Sequence, residues 1–154
     1  MQVAVTGISS YLARSLFPLL ENDPGVEKIV GLDVKPPALK SDKLDFVECD
    51  IRNPQLKNHL EGCDALIHLA FIVMPIHNEV LTDDININGS KNVFLAAAAA
   101  GVRKLIHLSS IASYGAWPDN PEVIDEDVPV RGMPGFYYSR AKAELETYLD
   151  EFEK

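Results

Sequence analysis

Tyr138 and Lys142 stand four residues apart in the stretch YYSRAK. On a helix, residues at that spacing share a face one turn apart. A phenol has a reference pKa of ~10 and ionises poorly near neutral pH, but a neighbouring ammonium favours the phenolate. The pair could therefore give a proton to a substrate oxygen or take one from it. The same lysine could hydrogen-bond a ribose. An exposed helix face presents the same spacing, so the pair alone is a weak signal. A second element stands nearby in the chain, in IHLSSIASYG, where a strand is expected to end in Ser109 and Ser110. In open α/β sheets ligands bind beyond the carboxyl ends of strands. A serine there can hydrogen-bond a substrate hydroxyl or carbonyl oxygen and stabilise charge as it develops. Its plainer role is to end a strand.

A third candidate lies at the other end of the chain. VAVTGISSYLARSLF reads as an apolar strand, one glycine, a polar turn and a helix. Backbone N–H groups at such a helix start can face a pyrophosphate, and the helix dipole favours its charge. A dinucleotide-binding turn uses three glycines: one for the tight bend, one for close approach of the phosphates, one for helix–strand packing. Gly7 fills the first place, whereas Ser10 and Ala13 fill the second and third. Ala13 adds one methyl group. Ser10 adds a Cβ and a hydroxyl, which could donate to a phosphate oxygen or cap the helix. Asp33, in KIVGLDV, follows Gly7 by 26 residues. An acidic residue near that offset accepts the ribose hydroxyls of NAD and repels the 2′-phosphate of NADP. Lys35 lies close by and weakens that preference slightly.

These residues need a scaffold. Strands are expected at Gln2–Thr6, Lys28–Asp33, Asp45–Cys49, Ala65–Leu69 and Lys104–Ser109. They are mostly continuous apolar runs, as in parallel strands covered on both faces. Helices are expected at about Ser10–Leu20, Asn53–Leu60 and Glu79–Ala100, the third closed by Gly101 as a left-handed cap, with a last helix from about Phe136. The alternation predicts a doubly wound, parallel, Rossmann-like α/β sheet of about five strands in the order 3-2-1-4-5. Residues 115–135 form one long loop with four prolines and an acidic cluster at Asp125–Asp127. Long loops in compact domains are commonly functional covers or mobile segments.

The 154 residues, 47% hydrophobic and 24% charged, suit one globular domain with a real core. The net charge of −9 argues against nucleic acid and against anionic membranes as partners. No apolar run approaches the ~20 residues of a membrane span, and no basic region precedes the apolar run at Val3. Cys49 and Cys63 lack the density of a disulfide scaffold, which points to reduced thiols and a cytoplasmic protein. His59, His68, His77 and His107 share no metal-ligand spacing, so no metal is expected.

Taken in order, TGISSYLA, LDV, CDIR, HLAF, INING, LSSIASYG and YSRAK resemble the extended short-chain dehydrogenase/reductases, and within them the NAD-dependent epimerase/dehydratase family. The resemblance runs from Met1 to about Glu146. It implies that Gly7, Ser9, Ser10, Tyr11, Leu12 and Ala13 form the phosphate turn and that Asp33 binds the adenosine ribose. It implies that Asp50 and Ile51 flank the adenine, and that Leu69, Ala70 and Phe71 lie along the nicotinamide. Ser110, Tyr138 and Lys142 match the catalytic serine, tyrosine and lysine, and Asn86 matches the helix asparagine that orders the active site. Tyr138 and Lys142 would also touch the cofactor. The family usually has glycine at positions 10 and 13 and about twice this length, with further strands and a C-terminal substrate lobe. The chain therefore reads as the N-terminal, NAD(P)-binding part (residues 1–154) of a longer enzyme, with a short relative that lacks the substrate lobe as the alternative.

The implied activity is NAD-dependent hydride transfer on a nucleotide sugar or a similar hydroxyl or carbonyl compound. Two other readings stay open: an NAD(H)-binding module without turnover, and a relative that has lost the cofactor. A fifth strand at the sheet rim would leave an open edge, which predicts a homodimer or larger assembly.

Overall fold

A computed structural model describes residues 1–74 and 76–152. Five strands are present: β1 (Gln2–Thr6), β2 (Lys28–Asp33), β3 (Leu44–Glu48), β4 (Ala65–His68) and β5 (Lys104–His107). They form one parallel sheet in the order β3-β2-β1-β4-β5. The expected topology is the observed one. Strand ends differ by one or two residues. β5 stops at His107, so Ser109 and Ser110 lie beyond the strand.

The chain divides into two compact units. One comprises Met1–Phe71 and Asn88–Leu108 and holds the whole sheet. The other comprises Ile72–Ile87 and the chain from Ser109 on.

In the sheet unit, β1 and β2 are almost entirely buried, in keeping with their unbroken apolar sequence. Helix α1 (Tyr11–Asn22) packs Ala13 and Phe17 into a core with Val3, Val5, Ile8, Val26 and Ile29. Helix α2 is shorter than expected, Leu56–Leu60. The Asn53 side-chain oxygen accepts the Gln55 N–H at 2.9 Å and the Asn53 carbonyl accepts from Leu56 at 3.0 Å, closing a turn before the helix. Between β1 and the later helix α4 (Gly89–Ala99) runs a buried polar chain. Thr6 Oγ1 lies 2.6 Å from His68 Nδ1, and His68 Nε2 lies 2.8 Å from Ser90 Oγ. These bonds satisfy polar groups that burial would otherwise penalise. Gly101, at φ +76°, ends α4. The Val102 N–H bonds the Ala97 carbonyl at 3.0 Å, a Schellman closure.

The single helix expected over 79–100 is interrupted. Helix α3 (Glu79–Asp83) runs into a π turn (Asp84–Asn88), and α4 follows. In the second unit, a 3₁₀ turn (Ile111–Tyr114) precedes the long loop, and helix α5 (Tyr137–Phe152) follows it. The loop is not loose where it can be read. Arg131 pairs with Asp119 at 2.8 Å and lies over the Trp117 ring, whose indole N–H donates to the Gly132 carbonyl at 2.8 Å. Among the described residues, no helix is long and apolar enough to cross a membrane. None of their His, Cys, Asp and Glu side chains form a group of three that could hold a metal ion.

Candidate functional site

The site residues fall into two groups, one in each unit. The first is built on the turn after β1. Gly7 has φ +74°, a conformation that L side chains rarely adopt. A Cβ there would meet the Ala70 backbone nitrogen at 2.6 Å, so the segment leaving β4 presses directly on this bend. Gly7 is thus required twice, by conformation and by space. Ser10 is the N-cap of α1: its hydroxyl accepts the Ala13 N–H at 3.2 Å. Of the two uses open to this hydroxyl, capping is the one observed. Ala13 is 1% exposed and sits in the core, so a methyl group fits where helix and strand meet. Tyr11 and Leu12 are exposed at the helix start. N–H groups in a first helical turn have no intrahelical acceptor.

Asp33 ends β2 beside this turn. Its carboxylate accepts the Ser9 N–H at 3.0 Å on one oxygen and the Lys35 N–H at 3.2 Å on the other. Both oxygens retain capacity to accept further hydroxyl protons. Asp50 is clasped by Arg52, which donates from its backbone (2.9 Å), Nε (3.0 Å) and Nη2 (2.6 Å). Those bonds hold the Asp50 carboxyl below the usual carboxylate range. Ile51 is buried, and Gly89 lacks a Cβ where one would lie 2.7 Å from Ile51 Cδ1. Leu69, Ala70 and Phe71 follow β4 as half-buried chain outside any helix or strand, tied in by the Leu69 N–H to the Thr6 carbonyl at 3.0 Å.

The second group is built on α5, the 3₁₀ turn and the π turn. Tyr138 and Lys142 are on one face of α5, with the Lys142 ammonium 5.9 Å from the Tyr138 ring centroid. Lys142 is 3% exposed, and burial lowers its pKa to about 8, against a smaller opposing effect of Glu146. Ser110 caps the 3₁₀ turn by accepting the Ala112 N–H at 3.2 Å, which leaves its own O–H proton to donate. The Ala112 carbonyl in turn accepts from Ser139 at 2.5 Å, fastening α5 to that turn.

Asn86 lies in the π turn and is fully buried. Its side-chain oxygen accepts the Ile72 N–H at 2.7 Å and its amide donates to the Ile72 carbonyl at 2.8 Å. One side chain thereby pairs both main-chain groups of Ile72, as a neighbouring strand would. A π turn inside a helix is uncommon and is frequently found at functional sites.

The sequence model of the NAD dependent epimerase/dehydratase family matches residues 3–154. The chain belongs to that family. It is 32% identical to a UDP-glucose 4-epimerase from Mycolicibacterium smegmatis, over 99% of this chain and 51% of that one. It is 27% identical to a 3 beta-hydroxysteroid dehydrogenase/Delta 5-->4-isomerase from Monkeypox virus, over 90% of this chain and 42% of that one. Among solved structures it resembles a mutant uronate dehydrogenase from Agrobacterium tumefaciens complexed with NAD. That similarity has 27% identity and a TM-score of 0.79, over 98% of this chain and 57% of the other. The chain thus spans about half the length of these relatives.

Within this epimerase/dehydratase chain, sequence reading missed one group of residues. Tyr137, next to Tyr138, accepts a hydrogen bond from Asn86 at 2.9 Å and donates to the Thr82 carbonyl at 3.3 Å. Burial raises the Tyr137 pKa, keeping it a neutral donor. Arg140 lies over its ring and pairs with Asp83 at 2.7 Å. The YY doublet was the available signal. Spacing along α5 says nothing of what reaches it from residues 82–86.

Proposed function

We propose that this chain binds NAD and carries the proton-transfer residues of an oxidoreductase, epimerase or dehydratase acting on a hydroxyl or carbonyl compound. NAD, held through its phosphates and ribose by the sheet unit, supplies the hydride acceptor. The residues fit that group: Gly7 keeps the bend open, Tyr11 and Leu12 offer N–H donors, and Asp33 presents accepting oxygens. Leu69, Ala70 and Phe71 would lie along the nicotinamide, and Asp50 and Ile51 would flank the adenine. Asp33 favours NAD over NADP.

In the second unit, Tyr138 takes the proton from the substrate hydroxyl at its Oη, or returns it to a carbonyl. Lys142 tunes that phenol and would hydrogen-bond the nicotinamide ribose. Ser110 donates to the substrate oxygen, and Asn86 holds the Ile72 backbone in place. The observation that carries the enzymatic reading is Lys142 itself. An ammonium buried beside a tyrosine ring, with its pKa brought to about 8, costs stability that an ordinary exposed helix face does not spend. A nucleotide sugar is the proposed substrate class, on the likeness to the UDP-glucose 4-epimerase.

We propose further that Met1–Lys154 is the NAD-binding part of a longer cytoplasmic enzyme and that it pairs through its open surfaces. A second reading is an NAD(H)-binding module without turnover, since Gly7, Tyr11, Leu12 and Asp33 all lie in the sheet unit while Ser110, Tyr138 and Lys142 lie in the other. Titrating the purified chain into NADH by cofactor fluorescence, with NADPH as control, tests the cofactor. Saturation by NADH at lower concentration than by NADPH supports the reading, and binding of neither overturns it. Following nicotinamide reduction with UDP-glucose and with a uronate then separates enzyme from module.

A further inference from the structure

The Asp33 carboxylate belongs to a closed ring of hydrogen bonds. The Ser9 N–H donates to Asp33 Oδ2 at 3.0 Å. The Lys35 N–H donates to Asp33 Oδ1 at 3.2 Å. The Ser9 hydroxyl closes the ring by donating to the Lys35 carbonyl at 2.6 Å. Lys35 is therefore pinned at both ends of its peptide, and Asp33 is gripped on both oxygens. The same turn is fastened to β2 a second time, because the Gly7 N–H donates to the Leu32 carbonyl at 2.8 Å. Phosphate turn and strand end form one preorganised piece before any ligand arrives.

We propose that Ser9 is a specificity-determining residue, which sets the preference for a free 2′-hydroxyl over a 2′-phosphate by locking Asp33 and Lys35 together. This rests on the NAD-binding reading above. The locked carboxylate accepts the ribose diol and faces any 2′-phosphate with like charge. Lys35 is exposed and two residues away, the cation best placed in sequence to neutralise such a phosphate. Its backbone cannot swing while Ser9 holds its carbonyl and Asp33 its N–H. Removing the Ser9 hydroxyl leaves the ring open at Lys35. Asp33 keeps its two backbone N–H donors, while the Lys35 carbonyl loses its partner and the ammonium gains the freedom to approach a 2′-phosphate. The Ser9 hydroxyl thus acts through Lys35, a role apart from any contact of its own with the pyrophosphate.

The test compares dissociation constants of NADH and NADPH for the wild-type chain, Ser9→Ala, Ser9→Thr and Ser9→Ala/Lys35→Gln. A hydrogen bond of this kind is worth roughly two- to tenfold in an equilibrium constant. Ser9→Ala is expected to lower the NADH-over-NADPH preference about fivefold, with NADPH binding as tightly as before or tighter. Ser9→Thr, which keeps the hydroxyl, is expected to keep the preference. The added Lys35→Gln is expected to restore it in the Ala background. Equal weakening of both nucleotides by Ser9→Ala would show a merely structural serine and overturn the proposal, as would an unchanged ratio. A wild-type chain that prefers NADH alongside an unaltered Ser9→Ala defeats this proposal alone. A wild-type chain that binds neither nucleotide defeats the cofactor reading and this proposal with it.

Discussion

Lys142 carries its positive charge at neutral pH in a place that disfavours it. Burial lowers its pKa from 10.5 to about 8, while the unfolded chain holds the proton up to the ordinary lysine value. Between those two values the unfolded state binds more protons than the fold, so this residue's contribution to stability rises with pH over that window. Below about pH 8 the burial penalty is felt in full. The buried Cys49 and Cys63 thiols and the Tyr137 phenol have raised pKa values and act in the opposite direction as pH climbs further. A difference between proteins removes their share. The urea midpoint of the wild type minus that of Lys142→Met is expected to be lowest near pH 7 and to climb between about pH 8 and pH 10. A difference that stays flat would mean that the fold treats this ammonium no worse than water does.

Ser10 shows how an element reuses a residue. Where a glycine would give room to phosphates, this chain has a serine that stabilises the start of α1. Replacing an N-cap serine by alanine costs about 1 kcal/mol, whereas glycine costs only a few tenths. Ser10→Ala is therefore expected to lower the unfolding free energy by about 1 kcal/mol in a urea melt, and Ser10→Gly by much less. If the Cβ crowds the phosphates, Ser10→Gly also tightens NADH binding; if capping is the sole consequence of the serine, affinity stays as it was. The π turn is the second case. An uninterrupted helix from 79 to 100 is the natural reading of that apolar stretch, yet the helix widens at Asp84–Asn88 where Asn86 pairs with Ile72 and Tyr137. Interactions with residues 14 and 51 positions away coincide with the break, and no local pattern could announce them.

At the scale of the molecule, β5 is an outer strand of the sheet among the described residues. Ile106 is 42% exposed and Leu108, just past the strand, 43%. An outer strand with exposed apolar neighbours favours association. Light scattering is expected to give a mass of about twice 17.0 kDa or more, rising with concentration. A single 17.0 kDa species at high concentration would remove the oligomer from the proposal. The −9 charge works against association at low ionic strength, so added salt should favour the larger species.

The sequence by itself determined a parallel, doubly wound sheet, because apolar runs alternating with helices are joined by right-handed crossovers, and the family likeness selected the order 3-2-1-4-5 among the windings that rule allows. It also determined the family, through seven motifs in register, and it marked Gly7, Asp33, Asn86, Ser110, Tyr138 and Lys142. Gly7, Asp33, Ser110 and Tyr138 lie at or next to element ends, whereas Asn86 and Lys142 lie within helical turns and were marked by the motifs around them. Only the tertiary structure decided how they are held. It made Ser10 a cap, closed the ring from Ser9 through Asp33 to Lys35, and broke a helix so that Asn86 reaches Ile72. It also buried Lys142. Each of these depends on groups brought near by folding across many residues of chain, and periodicity along a sequence carries no record of such approaches.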